Sequence, residues 1–199
     1  MISSFLRIRD AAPSPLALAP GFVAAILGVA TLPAEAAPAK PKPAATAAAS
    51  SGQGQAMLLE SAGKWQAFSS QQGRSKVCYA LSKAETRMPA NLKDVDGLLF
   101  VSSRPGEGVR NEISFVMNFD LKEGVEHQAI IGSERFALVA KGKNMWLKNP
   151  AEEPRMLDSL RRGSSLEVKG TSKRGNPTSD KYSLAGISQI VKRAEDACK

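Results

Sequence analysis

The clearest pattern in the chain is an alternation of apolar and polar side chains with period two. From residue 112 to 120, every second side chain is large and apolar, as in Ile113, Phe115, Met117 and Phe119. Successive side chains of a β-strand point to opposite faces, so this spacing predicts a half-buried strand. Similar alternation predicts strands over 75–82, 98–103, 135–141, 166–171 and 182–186, and shorter ones over 64–69 and 144–147.

Turn-forming residues separate these stretches. The segment 104–108 reads Arg-Pro-Gly-Glu-Gly, and glycines also occur near residues 124, 142 and 175. Proline presets the first torsion of a turn and glycine accepts a positive φ. Many short strands between such turns predict a mainly β protein: a single, sandwich-like domain of short antiparallel strands.

Two segments have helical rather than alternating spacing. In 154–163, Met156, Leu157 and Leu160 share one face, and Gly163 suits the end of a helix. In 187–198, an apolar stripe also recurs every three or four residues, and it ends at Cys198. The sequence therefore predicts two short helices, the second at the C-terminus.

The first 36 residues have the pattern of a secretory signal. Arg7 and Arg9 precede an uncharged apolar stretch over 16–32, and small residues follow at Ala34 and Ala36. This order predicts a signal peptide over 1–36 and a periplasmic location, with secretion or the outer surface as alternatives. An uncleaved membrane anchor is another alternative, but the stretch is short for a bilayer span and contains a Pro-Gly pair. We expect no transmembrane helix in the mature chain.

Residues 37–56 differ in composition from the rest of the chain. They are mostly Pro, Ala, Lys, Ser, Gly and Gln, with almost no apolar side chain larger than alanine. Such a segment buries too little surface to offset its chain entropy, so we predict a disordered spacer. The folded domain is then predicted over 57–199.

The chain has two cysteines, Cys78 and Cys198. In an oxidising periplasm an even pair is expected to form a disulfide. Cys198 lies on the apolar stripe of the last helix, while the strand neighbour of Cys78 on the same face is the small Ala80. We therefore predict that the helix packs over this strand and is tethered to it. A redox-active pair is the alternative, but such cysteines usually lie close in sequence.

Charge narrows the range of partners. Lys and Arg number 27 against 19 Asp and Glu, a net charge of +8. This balance favours an anionic lipid or glycan, and export disfavours nucleic acid. The candidate anionic-surface residues are Arg161, Arg162, Lys173 and Arg174. The alternative is that these side chains form a solvated face that keeps the protein soluble.

The sequence offers little for catalysis. It has one histidine, His127, so even with both cysteines it lacks the ligands of an ordinary Cys/His zinc site. It contains no Gly-x-Ser-x-Gly elbow. We predict no catalytic residue, no metal site and no cofactor, and place His127 at the solvated edge of a strand. A hydrolase built around His127 is the less favoured alternative.

Several ordered motifs resemble the invasion-associated locus B family. They are the run from Val77 to Lys83 after Trp-Gln-Ala-Phe at 65–68, the segments 103–114 and 169–175, and the late Cys198. The resemblance covers about residues 60–199. It implies an exported alphaproteobacterial protein with a sandwich-like β domain. The implied role is to bind an unknown protein or envelope component, in the envelope or in host contact. Members also occur in free-living bacteria, so virulence is not implied. The resemblance implies no catalytic residue in this chain, and the pair that it does imply is Cys78 and Cys198.

Overall fold

Antiparallel strands, two α-helices and three single-turn 3-10 helices make up the part of the chain that the structure describes. The computed structural model describes residues 55–73 and 75–199. Strands β1 to β11, in chain order, span Met57–Ala62, Trp65–Gln72, Ser75–Lys83, Thr86–Met88, Leu98–Arg104, Val109–Val116, His127–Ile131, Glu134–Lys141, Asn144–Leu147, Ser165–Thr171 and Pro177–Ser183. Helix α1 spans Glu153–Arg162 and helix α2 spans Ile187–Ala197. The signal peptide predicted over 1–36 and nearly all of the spacer predicted over 37–56 lie outside the described residues.

All eleven strands belong to one sheet, in the order β1-β2-β3-β5-β6-β9-β8-β7-β10-β11-β4. Every neighbouring pair is antiparallel. The predicted class, a mainly β domain with two short helices, is confirmed. Neither helix of the described region is long and apolar enough to span a bilayer.

The sheet curls so that its far end returns to its early strands. The last residues of β3 pair with β5, and Ala84 donates its N–H to the carbonyl of Gly97 at 2.8 Å. The next residue, Glu85, donates to Lys181 at 2.7 Å, and β4 continues along β11. Because only two residues separate β3 from β4, the β11 end must lie beside β3. The curled sheet thus encloses an interior, across which Phe115 of β6 meets Tyr182 of β11 with ring centroids 6.3 Å apart.

Helix α2 packs over β1, β2 and β3, as the small-residue face of β3 predicts. Cys78 and Ala80 on that face are fully buried. Four apolar residues of α2 are buried against the sheet, namely Ile187, Ile190, Val191 and Ala194. Cys78 and Cys198 form the predicted disulfide, with the two Cα atoms 5.8 Å apart. The covalent bond therefore fixes the end of the terminal helix to an early, central strand.

The sequence does not predict β1, β4 or β7, and two predicted strands have different bounds in the structure. The strand predicted over 112–120 spans Val109–Val116, because Asn118 adopts a positive φ of 58° and turns the chain. Ile113, Phe115 and Met117 are nevertheless buried on one face, as predicted. The strand predicted over 182–186 instead spans Pro177–Ser183. Its inward-facing residues before Tyr182 are polar, so the apolar alternation is hidden there.

Candidate functional site

A buried ion pair lies where the two ends of the sheet meet. Arg87 of β4 and Asp180 of β11 are directly opposite in the strand register. Their closest nitrogen and oxygen atoms, Nη2 and Oδ2, are 2.7 Å apart, and their side chains are only 4% and 0% exposed. Arg87 Nε also donates to both carboxylate oxygens, at 3.0 and 2.9 Å. Burial raises the pKa of Asp180, and the hydrogen bonds and charge of Arg87 act in the opposite direction.

Arg87 also holds two loops in place. Its Nη1 donates to the carbonyl oxygen of Val95, in the segment between β4 and β5. Its Nη2 donates to the carbonyl oxygen of Met117 at 3.2 Å, at the end of β6. The guanidinium carbon also lies 5.4 Å from the ring centroid of Phe119. One buried side chain therefore positions both the 89–97 segment and the start of the loop after β6.

The packing around this pair leaves no room for a larger residue at position 97. A Cβ atom on Gly97 would lie 2.5 Å from Asp180 Oδ2 and 2.9 Å from the guanidinium of Arg87. Contacts this short do not occur between real Cβ atoms and their neighbours. A larger residue immediately before β5 would therefore force the Arg87 or Asp180 side chain to shift.

The two loops held by Arg87 form walls of an open cleft of about 310 Å³. The third wall is the turn between β10 and β11. This turn is fixed to the neighbouring loop, because Lys173 donates its N–H to the carbonyl of Asp120 at 2.8 Å. The lining residues are Pro89, Asn91, Leu92, Phe119, Asp120, Ser172, Lys173, Arg174, Asn176 and Thr178.

The cleft combines unpaired cations with an apolar wall. Lys173 and Arg174 are exposed and form no ion pair within the described part of the chain. Asp120 supplies one negative charge to the lining. Thr178 is only 5% exposed, and its Oγ1 has no hydrogen-bond partner among the described residues. Charged and polar groups thus line a cleft whose other surface is apolar.

The four predicted anionic-surface residues do not form one strip. Arg161 and Arg162 lie in the last turn of α1, immediately before β10. Lys173 and Arg174 lie in the turn between β10 and β11. The strand between the two pairs has seven residues, and at about 3.3 Å per residue its ends are about 20 Å apart. Arg161 is moreover paired with Glu195, with Nη2 and Oε1 3.0 Å apart.

The prediction that His127 is solvated at a strand edge is wrong. His127 begins β7, which lies between β8 and β10, and it is 1% exposed. Its Nε2 lies 3.0 Å from the carbonyl oxygen of Lys122, and its Nδ1 accepts the N–H of Thr171 at 3.2 Å. These contacts fit a ring proton on Nε2. The polar stretch before His127 is a loop, whereas the histidine itself faces inward.

The hydrolase alternative depended on a free imidazole at His127. Both ring nitrogens are engaged by main-chain groups, so neither is placed to accept a proton from a serine. The described residues also contain no group of three or more His, Cys, Asp or Glu side chains that could hold a metal ion. The geometry of His127 supports a structural role.

This role predicts a large stability loss on replacement of the ring. His127→Ala removes two part-buried hydrogen bonds, to the carbonyl of Lys122 and from the N–H of Thr171, and opens a cavity, so we expect the free energy of unfolding to fall by about 2–3 kcal/mol. Urea unfolding followed by circular dichroism measures this. Lys122→Ala, at an exposed position in the adjoining loop, is the control and should change stability by less than about 0.5 kcal/mol. Equal effects of the two variants would contradict the structural role.

Fold and cleft together define a disulfide-closed, antiparallel β domain with an open, basic-edged cleft. No family model, curated protein or solved structure matches the chain.

Proposed function

We propose that the chain is an exported, non-catalytic binding domain of the bacterial cell envelope, similar to the invasion-associated locus B proteins. The observation that carries this proposal is the disulfide between Cys78 and Cys198. Structural disulfides persist in oxidising compartments and are rare in the cytosol. The signal pattern over 1–36 supplies a route to such a compartment.

The arrangement of polar groups favours binding over catalysis. His127 is bonded on both sides to the main chain, and the carboxylate of Asp180 is bonded to Arg87. In contrast, Lys173 and Arg174 have no ion-pair partner among the described residues and stand at the edge of a cleft. Such cations beside an apolar wall are the groups that orient a bound ligand.

Cell fractionation tests the export part of this proposal. The full-length chain is expressed in an alphaproteobacterial host beside a variant that lacks residues 2–36, and both are detected by antibody and by intact mass. We expect the full-length chain in the periplasm with residues 1–36 removed, and the truncated variant in the cytoplasm. Full-length, unprocessed protein in the cytoplasm or the inner membrane would contradict the proposal.

A further inference from the structure

We propose that the cleft lined by Lys173, Arg174 and Phe119 binds a small organic anion that carries an apolar body, such as an aliphatic carboxylate. This proposal deepens the binding role given above and does not depend on export. It rests on the charge, the surface and the size of the cleft.

The charge of the cleft selects an anionic ligand. Two cations, Lys173 and Arg174, and one carboxylate, Asp120, line it. The cations have no ion-pair partner within the described residues, so an incoming anion would not have to displace one. Lysine and arginine both form charge-assisted hydrogen bonds with carboxylate oxygens. The edge of the cleft is thus suited to the charged end of a ligand.

The rest of the cleft surface favours a ligand with an apolar part. Pro89, Leu92 and Phe119 contribute apolar side chains to the same cleft. The Arg87 guanidinium lies over the ring of Phe119, and this contact helps to fix the ring before any ligand arrives. Preformed apolar surface with a few placed polar groups is the usual composition of a small-molecule site.

The size of the cleft indicates a small ligand. The volume of about 310 Å³ lies at the lower end of ligand pockets. A small molecule fits this space better than a polymer.

The test is calorimetric titration of the purified, oxidised protein with three probes. Octanoate carries both features, 1-octanol lacks the charge, and acetate lacks the apolar chain. We expect octanoate to bind with a Kd below about 1 mM. 1-Octanol and acetate should each bind at least tenfold more weakly.

A matched pair of double variants locates the site. Lys173→Ala with Arg174→Ala should weaken octanoate binding at least tenfold. Arg161→Ala with Arg162→Ala removes the same charge at the other end of β10 and should change it less than twofold. No saturable octanoate binding, equal binding of acetate, or equal effects of the two double variants would overturn the proposal. Because the test uses purified protein, failure here leaves the export result intact, and the reverse also holds.

Discussion

Removing the bond between Cys78 and Cys198 is expected to lower the free energy of unfolding by about 4–5 kcal/mol. The bond joins residues 120 positions apart, so it closes nearly the whole folded domain into one loop. In the chain-entropy account, a closure of this length restricts the unfolded chain strongly and the folded chain very little. The loss is comparable to the total stability of many small domains.

Two perturbations separate the covalent link from the side chains. Reduction of the wild-type protein breaks only the link, whereas Cys78→Ala with Cys198→Ala also removes both sulfur atoms, of which that of Cys78 belongs to a fully buried residue. Both should unfold at lower urea concentration than the oxidised protein, with the double variant at least as unstable as the reduced wild type. In each, amide hydrogen exchange should accelerate first in helix α2, because the end of α2 is then free to fray. Unchanged unfolding midpoints would show that the sheet holds the helix without the bond.

Breaking the buried pair at Arg87 is expected to cost about 3–5 kcal/mol. In Arg87→Met the carboxylate of Asp180 remains enclosed without its cation, and the carbonyls of Val95 and Met117 lose their donor. An uncompensated buried charge is far more costly than the net benefit of the intact pair. The loops that form the cleft should also loosen, with faster hydrogen exchange over 89–97 and 117–120.

A double variant and a surface pair provide the controls. Arg87→Met with Asp180→Leu removes both charges and should recover much of the lost stability, so the two single effects will not add. Lys83 and Asp96 form an exposed pair whose nitrogen and oxygen are 2.8 Å apart, with side chains 64% and 56% exposed. Lys83→Met should therefore cost no more than about 1 kcal/mol. If Arg87→Met lowered the free energy of unfolding by no more than Lys83→Met does, the burial of the Arg87–Asp180 pair would not matter for stability.

Sequence patterns predict most of the elements whose inward faces are apolar. Ile113, Phe115 and Met117 of the longest alternation are all buried, and both helices lie within one residue of their predicted bounds. The small face around Cys78 and Ala80 correctly predicted where the terminal helix packs. In these places a local pattern is sufficient because burial itself determines the period.

Strands whose inward-facing side chains are polar lack this apolar alternation, and the sequence does not predict their bounds. Strand β11 places Thr178, Asp180 and Tyr182 on one buried face, but the first two resemble turn residues. Strand β4 has only three residues, too few for any period to be detected. The partner of Arg87 lies 93 positions away in the chain, so neither residue marks the other locally. The burial of every second residue, Thr178, Asp180 and Tyr182, is the feature by which a sequence pattern could have identified β11.

In the candidate site, too, some residues can be predicted from the local sequence and others cannot. Charge alone predicts Lys173 and Arg174 as anion-binding residues; both lie at the cleft, and their binding of an anion stays a prediction. Arg161 and Arg162 are near them in sequence, but the seven-residue strand β10 separates the two pairs. Phe119 and Leu92 come from other loops, and only the register of the curled sheet brings them to the same place. Which side chains share a cleft depends on tertiary structure.

Thiol labelling of the protein in its own compartment tests the central claim most directly. Cells are lysed in a denaturing buffer that contains an alkylating reagent. The intact mass of the protein is then measured by mass spectrometry, before reduction and after reduction with renewed alkylation. We predict that the periplasmic protein, beginning near Ala37, takes up no label until it is reduced and then takes up label at both Cys78 and Cys198. Full-length protein labelled at both cysteines without reduction would contradict an exported domain whose terminal helix is tethered to an early strand.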